Sequence, residues 1–381
     1  MELETFTHAR HQGWSIPSFP ELDSPETVVL VFGAPEYRED PSALRELAAA
    51  YPTARVVGCS SSGEIAGTQV SDETLSVAVA RFEHTRLRTA IAPMPEFSDA
   101  HSLAAGRELA EALQAPDLRH VLILSDGLKV NGTKLIEGLN AVLPESVVVT
   151  GGLAGDGSRF GETWVLREGL PQPGYITAVG FYGDRLKVSH GSKGGWDKFG
   201  PERVVTRSQG SVLYELDGKP ALQLYKDYLG DRASGLPATG LLFPLAMRSD
   251  TDDERTLVRT LLSVDEASQS MTFAGDLPQG SLVQLMRANF DRLIDGASGA
   301  AKLVLEHGEP AGDTLAIAIS CVGRRLVLGE RTEEEVEATL EVLPEGTRQV
   351  GFYSYGEISP YANGRCDLHN QTMTLTTLSE I

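Results

Sequence analysis

The apolar positions of this chain fall into short continuous runs, separated by stretches with helical spacing. Residues 27–32 (TVVLVF) are apolar throughout and too few for a helix, the pattern of a strand buried on both faces. Residues 41–51 hold good helix formers, with Leu44, Leu47, Ala48 and Tyr51 on one side, and Pro52 ends the run. Val56 and Val57 open another strand, and 75–82 predicts a further one. From residue 87 the alternation is regular: strand 87–92, helix 100–113, strand 120–125, helix 133–143 stopped by Pro144, and strand 147–150. That order predicts parallel neighbours in a sheet covered by helices.

The middle of the chain reads differently. Short apolar runs at 162–167, 175–182, 186–189 and 204–208 are separated by Gly and Pro and predict antiparallel meanders. A strand at 212–218 precedes a helix at 220–229, opened by Pro220. Strands then follow at 241–247, 259–264, 270–273, 282–286, 314–320 and 349–355, with helices at 291–306 and 332–343.

Helices 133–143 and 332–343 both end in Leu-Pro-Glu, and strands 121–125 and 315–320 both end in Ser. Gly161-Glu162 and Gly356-Glu357 each begin 36 residues beyond that serine. These agreements predict a mixed α/β (α+β) fold of two related halves. Each half has a βαβαβ core, and mixed parallel and antiparallel sheets are flanked by helices. The expected divisions are an N-terminal arm over 1–24 laid across the surface, a first domain over 25–218 and a second over 219–381.

Composition narrows the function. The formal net charge is −20, with 53 acidic against 33 basic residues. A nucleic-acid binder needs clustered Lys and Arg, and so does docking on anionic lipid. No apolar run approaches the roughly 20 residues that span a bilayer, and the N-terminus lacks the basic and apolar segments of a secretory signal. Cys59, Cys321 and Cys366 are too few for a disulfide framework, which fits reduced thiols in a cytoplasm.

Two near copies of one loop stand out: Gly58-Cys-Ser-Ser-Ser-Gly-Glu-Ile-Ala66 and Gly351-Phe-Tyr-Ser-Tyr-Gly-Glu-Ile-Ser359. Glycines at a strand end let backbone N–H groups converge on an anion or carbonyl, and Glu64 and Glu357 add carboxylates. The same loops serve equally as tight turns with the carboxylate capping amides. By chain position Glu357 pairs with Glu162, whereas Glu64 shares its local wording. No Lys follows where a phosphate loop needs one, and Gly-x-Ser-x-Gly is absent. Candidate contacts are Cys59, Ser60, Ser61 and Glu64 from the first loop, and Tyr355 and Glu357 from the last. Ser125, Asp126 and Gly127 lie at a strand end where α/β sheets place ligands. Gly152 and Asp156 belong to the glycine-rich run 151–157. His369 with Asn370 follows the last loop; its imidazole, with Glu357 or a main-chain carbonyl orienting one nitrogen, has the chemistry of a haem-iron ligand. An ordinary buried histidine held by Asn370 or main chain fits the same residues.

The ordered set 58–64, Ser125-Asp-Gly127, 151–156, Glu215-Leu-Asp-Gly-Lys-Pro-Ala221 with Tyr225, and Tyr355-Gly-Glu-Ile-Ser-Pro360 with His369-Asn-Gln-Thr372 resembles the FIST family. The resemblance runs from about residue 25 to the end. It implies a cytoplasmic sensory module of bacterial signal transduction that binds a small metabolite such as an amino acid. It also resembles stand-alone members that sense nitric oxide through haem, in which a histidine ligates the iron; His369 is the matching position. The implied output partner is a separate histidine kinase, as in two-component systems, or a cyclic-di-GMP enzyme, and a homodimer is compatible with this. The competing expectations are a hydrolase or transferase using Ser61 or Cys59 with Glu64, Glu357 and His369, and an interaction scaffold with no ligand.

Overall fold

The computed structural model describes residues 1–248, 256–308, 312–360 and 365–381. Its strands and helices form a mixed α+β fold in which parallel and antiparallel neighbours share sheets. The repetition expected between the two parts of the chain is present, and the chain carries it a third time at its start. In each copy two strands run parallel: Thr27–Gly33 with Arg55–Ser60, Leu118–Ser125 with Val148–Leu153, and Leu315–Cys321 with Arg348–Ser354. A return strand lies antiparallel to the first of each pair: Thr74–Arg81, Tyr175–Tyr182 and Met373–Glu380. Outside it lies an edge-side strand, Glu2–Ala9, Arg86–Pro93 or Leu186–Lys193. The opening residues are therefore a sheet strand rather than a surface arm. Their polar face hid them, since Glu2 and Glu4 are exposed while Leu3 and Phe6 are buried.

The three copies are tied together by exchange of hairpins. The strand Glu64–Ala66 leaves the first copy and pairs with Arg348–Ser354 of the third. Gly356–Pro360 leaves the third copy and pairs with Val148–Leu153 of the second. Val165–Arg167 leaves the second and pairs with Arg55–Ser60 of the first. The inner sheet faces meet in one core containing Leu30, Phe32, Leu122, Leu124, Ile317 and Phe352. There the Phe32 and Phe352 rings stack at 4.8 Å.

Helices cover the outer faces, which is why the parallel strands are apolar on both sides. Asp99–Leu113 and Gly132–Asn140 pack over Val121 and Ile123, and Phe290–Glu306 and Thr332–Leu340 pack over Ala316 and Ala318. The side chains of Ser98, Asn131 and Asn289 cap three of these helices by accepting from the backbone N–H of His101, Lys134 and Arg292.

The third copy carries an insertion between Leu186–Lys193 and Phe290–Glu306. This lobe has its own sheet and the helix Ala221–Leu229, around a core with Val205, Leu213, Tyr225, Met271 and Phe273. It sits against the C-terminal ends of the parallel strands, and that placement makes the site.

Candidate functional site

At the end of the first parallel strand the three copies turn in the same way. The backbone N–H groups of Ala34, Asp126 and Cys321 donate to the carbonyls of Thr74 (3.0 Å), Tyr175 (2.9 Å) and Thr372 (3.2 Å). Glu64 and Glu357 are then equivalent. Glu64 Oε2 accepts from Thr74 N–H (3.0 Å) and Oγ1 (2.9 Å), and Glu357 Oε2 accepts from Thr372 N–H (3.2 Å) and Oγ1 (3.0 Å). Register places Val165 at the matching position of the second copy, opposite Cys59 as Glu357 is opposite Gly152. Glu162, paired with Glu357 by chain position, instead lies 56% exposed in an ion pair with Arg38. Burial pushes Glu64 and Glu357 up to about 8, so each holds its proton at neutral pH and braces a hairpin from within.

The first loop is closed around itself. Ser60 Oγ accepts from Trp164 N–H (3.0 Å), Ser61 Oγ from Gly63 N–H (2.7 Å), and Ser62 Oγ from Gly157 N–H (2.9 Å). Cys59 lies in the shared core, where burial drives its thiol well above the ordinary range and makes it a poor nucleophile. Asp126 is a loop brace as well: Oδ1 accepts from Leu128 and Lys129 N–H (both 2.8 Å), and Oδ2 from Gly174 N–H (2.8 Å). Ser125 Oγ donates to the Asp126 carbonyl (3.0 Å).

Tyr355 lines the open region, and the buried Asp156 holds it from behind. Asp156 gathers the N–H groups of Phe160 (2.9 Å), Gly161 (2.8 Å) and Glu162 (2.8 Å) and accepts from the Tyr355 hydroxyl. The loop so held places Phe160, in the left-handed region at φ 48°, flat on Tyr355 with centroids 4.5 Å apart and planes 15° apart. Burial and the Asp156 carboxylate push the Tyr355 phenol far up, so it stays a hydrogen-bond donor. Gly127 lies under this ring, and any Cβ there would collide with the Ala154 carbonyl oxygen.

Two cavities share the Phe160–Tyr355 pair, together with Leu262 and Ala274 of the inserted lobe. The smaller, about 290 Å³, extends past Gly127, Asn131, Phe273 and Leu368. The larger, about 570 Å³, extends past Leu236, Thr260, Cys321, Gly323 and Leu326. Together they form a cleft with one wall from the threefold core and the other from the inserted lobe.

The turn 368–372 runs behind the cleft and is held from both sides. From the lobe side, Arg259 donates to the Leu368 carbonyl (3.2 Å), Thr260 N–H to Asn370 Oδ1 (3.4 Å), and Trp196 Nε1 to the Gln371 carbonyl (2.9 Å). From the core side, Arg324 reaches the same Gln371 carbonyl (3.4 Å) and Glu357 holds Thr372. Gln371 sits in the left-handed region at φ 60°, and its side-chain carboxamide is buried without a hydrogen-bond partner among the described residues. The Thr260 hydroxyl is buried and has no partner among the described residues either.

His369 is 3% exposed, and its Nε2 stands 3.0 Å from the Ser359 carbonyl. Burial pushes the imidazole down to about 4, so it is neutral at pH 7. An axial haem ligand needs a ring nitrogen open to a cavity wide enough for the macrocycle. His369 lines neither lobe, and the residues around it do not fit haem. Among the described residues, no group of three or more His, Cys, Asp or Glu is placed to hold a metal ion.

Of the sequence candidates, the structure brings Gly127 and Tyr355 into the cleft wall. Asp156 and Asn370 stand one hydrogen bond behind cleft residues. Cys59, Ser60, Ser61, Glu64, Ser125, Asp126, Gly152, Glu357 and His369 serve within the fold. Phe160, Leu262 and Thr260 escaped the sequence reading, because they are ordinary residue types brought in by distant segments. Gln371 carried a faint signal as part of the His369-Asn-Gln-Thr372 run.

A cleft walled by two parts of one chain, apolar with a few placed polar groups, has the form of a small-molecule binding site. The chain belongs to the FIST family: the FIST N domain matches residues 27–219 and the FIST C domain residues 221–360. FIST domains are sensory small-ligand-binding domains of signal transduction. Two uncharacterised proteins of Mycobacterium tuberculosis, from strains CDC 1551 / Oshkosh and ATCC 25618 / H37Rv, are each 28% identical over 273 residues. Those matches cover 67% of this chain and 66% of each relative, so the chain spans just under two thirds of their length. Among solved structures, cyanuric acid hydrolase from A. caulinodans is similar at 9% identity and a TM-score of 0.38, over 99% of this chain and 98% of that one. No helix is long and apolar enough to cross a membrane among the described residues.

Proposed function

We propose that this protein is a sensor whose small-molecule ligand occupies the cleft between the inserted lobe and the threefold core. Its occupancy passes through the turn 368–372 to a separate partner, a histidine kinase or a cyclic-di-GMP enzyme. The observation that carries this reading is the shared turn: lobe residues Trp196, Arg259 and Thr260 and core residues Arg324 and Glu357 hold the same five residues. A ligand that draws the lobe closer acts on that turn directly. Coupling of about 1–3 kcal/mol, a 5–150-fold change in partner affinity, is the usual size of such an effect.

The test is a thermal-shift screen of the purified protein against a metabolite panel, repeated with Tyr355→Ala. A ligand that raises the melting temperature of the wild type but not of Tyr355→Ala supports the reading. A panel that leaves both unmoved, with no small molecule found by mass spectrometry in the purified protein, sinks it. An absorption spectrum checks the haem version separately: a Soret band that His369→Ala abolishes would restore it.

A further inference from the structure

The wall of the cleft narrows its ligand, granted that the cleft is the sensory site. Phe97, Phe160, Leu262 and Leu326 all line it, and each is between 44% and 60% exposed. They are half of the large exposed hydrophobics among the described residues, gathered around one opening. Apolar surface is costly to leave in water, and its gathering at a concave rim marks a binding site. Leu262 stands on the inserted lobe and the other three on the core, so the apolar rim faces itself across the opening. Below the rim the larger lobe of the cleft runs inward over Leu261, Cys321 and Val322, all buried. The space is therefore a pocket with an apolar floor rather than a flat patch.

The polar side chains along this larger lobe are committed elsewhere, closed off, or placed at its edge. The Tyr355 hydroxyl donates to Asp156, and the buried Thr260 hydroxyl is closed to the cavity. Burial drives the Cys321 thiol up, so it stays protonated and behaves as a small apolar group. Ser158 is exposed and lies at the mouth. Neither lobe of the cleft is lined by a charged side chain among the described residues. A carboxylate or ammonium entering there would lose its water and meet no opposite charge. The zwitterion of a free amino acid is therefore a poor match.

We infer that the larger lobe, about 570 Å³, takes an uncharged, mainly hydrocarbon small molecule, held by apolar contact with its polar end at the mouth beside Ser158. This rests on the sensor reading and names the ligand class for the same site.

The experiment uses the uncharged dye N-phenylnaphthylamine, which fluoresces when it leaves water, and displaces it with straight-chain alcohols from butanol to octanol. Binding tightens about fourfold for each methylene added, the gain expected from burying it. Octanoate competes at least about tenfold more weakly than octanol, because its charge has no partner in the pocket. Leu262→Lys puts an ammonium on the rim. It weakens the dye and octanol about tenfold and narrows the gap between octanol and octanoate, whereas Leu262→Met stays close to wild type. Leu262 is exposed on the edge strand Leu261–Asp265, so Leu262→Lys melts with the wild type, which separates loss of binding from loss of folding. Alcohols that gain nothing with length, octanoate as tight as octanol, or a dye indifferent to Leu262→Lys each overturn the ligand class. So does a dye that fails to bind. In each of these cases the metabolite screen decides the sensor reading by itself.

Discussion

Arg324 offers the sharpest test of how the cleft is held. Its guanidinium and the Glu335 carboxylate are both fully buried, with Nε to Oε2 at 2.9 Å and Nη2 to Oε2 at 2.7 Å. Glu335 Oε1 also accepts from Ser320 Oγ (2.9 Å) and Tyr353 OH (2.7 Å). The guanidinium reaches the carbonyls of Gly194, Leu293 and Gln371 as well. Arg324→Met keeps much of the volume but strands the Glu335 charge and three carbonyls. Breaking one side of a buried pair costs about 3–5 kcal/mol. An unfolding entropy of about 2 cal/mol/K per residue makes the total ~0.8 kcal/mol/K for this chain, so the loss appears as a melting temperature lower by about 4–6 °C. Adding Glu335→Gln removes the stranded charge, while the amide still meets Ser320 and Tyr353. The double variant regains about 1–2 kcal/mol of that loss. Calorimetry and urea unfolding of the three proteins settle it. A single-variant loss under ~1 kcal/mol, or a second substitution that deepens the loss, would refute the reasoning.

Two further outcomes follow from the buried carboxyls and the glycine beneath Tyr355. Glu357 sits at about 8 in the fold against an ordinary 4.5. Below the lower value both folded and unfolded chains hold its proton and the full stabilisation is present. Between the two values only the folded chain holds it, so stability falls as pH rises, by up to ~1.4 kcal/mol per pH unit. Glu357→Gln removes one carboxyl's share of that slope in urea melts between pH 5 and 8 and leaves the share of Glu64, and an unchanged slope would show that burial does not govern this carboxyl. Gly127→Ala drives a methyl into the Ala154 carbonyl and the Tyr355 ring, costing about 1–3 kcal/mol in urea unfolding and reducing the ligand-induced thermal shift. A variant as stable as wild type would mean the loop yields without strain.

The parts legible in the sequence were those whose burial leaves a one-dimensional mark. The strands at 27–33 and 315–321 are buried along their whole length, as is 120–125 of the strand Leu118–Ser125, and their centres read as apolar runs. The Leu-Pro stops at 143–144 and 343–344 marked two of the helices, while the caps Asn131 and Asn289 went unread. The third copy of the repeat was hidden because the first has the single α-helix Ser42–Ala50 and opens with a half-exposed strand. The polar loop residues announced themselves, yet most face inward. A conspicuous Glu such as Glu357 reads the same from sequence whether it braces a hairpin or meets a ligand. Gly127 and Tyr355 of the cleft wall were named from the sequence, but Phe160 and Thr260 gave no sign, because Phe160, Thr260 and Tyr355 come from three segments separated by about a hundred residues each.

The exchange of hairpins has a consequence for how the molecule comes together. The partner of strand Glu64–Ala66 is Arg348–Ser354, so the first copy offers its hairpin long before the chain supplies the sheet that receives it. Closure is thus a late event whose rate is set by a long loop, and until then the edges of Val148–Leu153 and Arg348–Ser354 are open to wrong partners. The same circuit makes the copies interchangeable in order. The Met1 ammonium lies 3.6 Å from Glu380, which also accepts from the backbone of Glu83 (2.7 Å) and His84 (2.8 Å) at the first junction. Beginning and end of the fold therefore meet where one copy passes into the next. A chain with Ile381 joined to Met1 through a short linker and reopened between Tyr182 and Leu186 keeps every pairing described above, and differs only in which hairpin must wait.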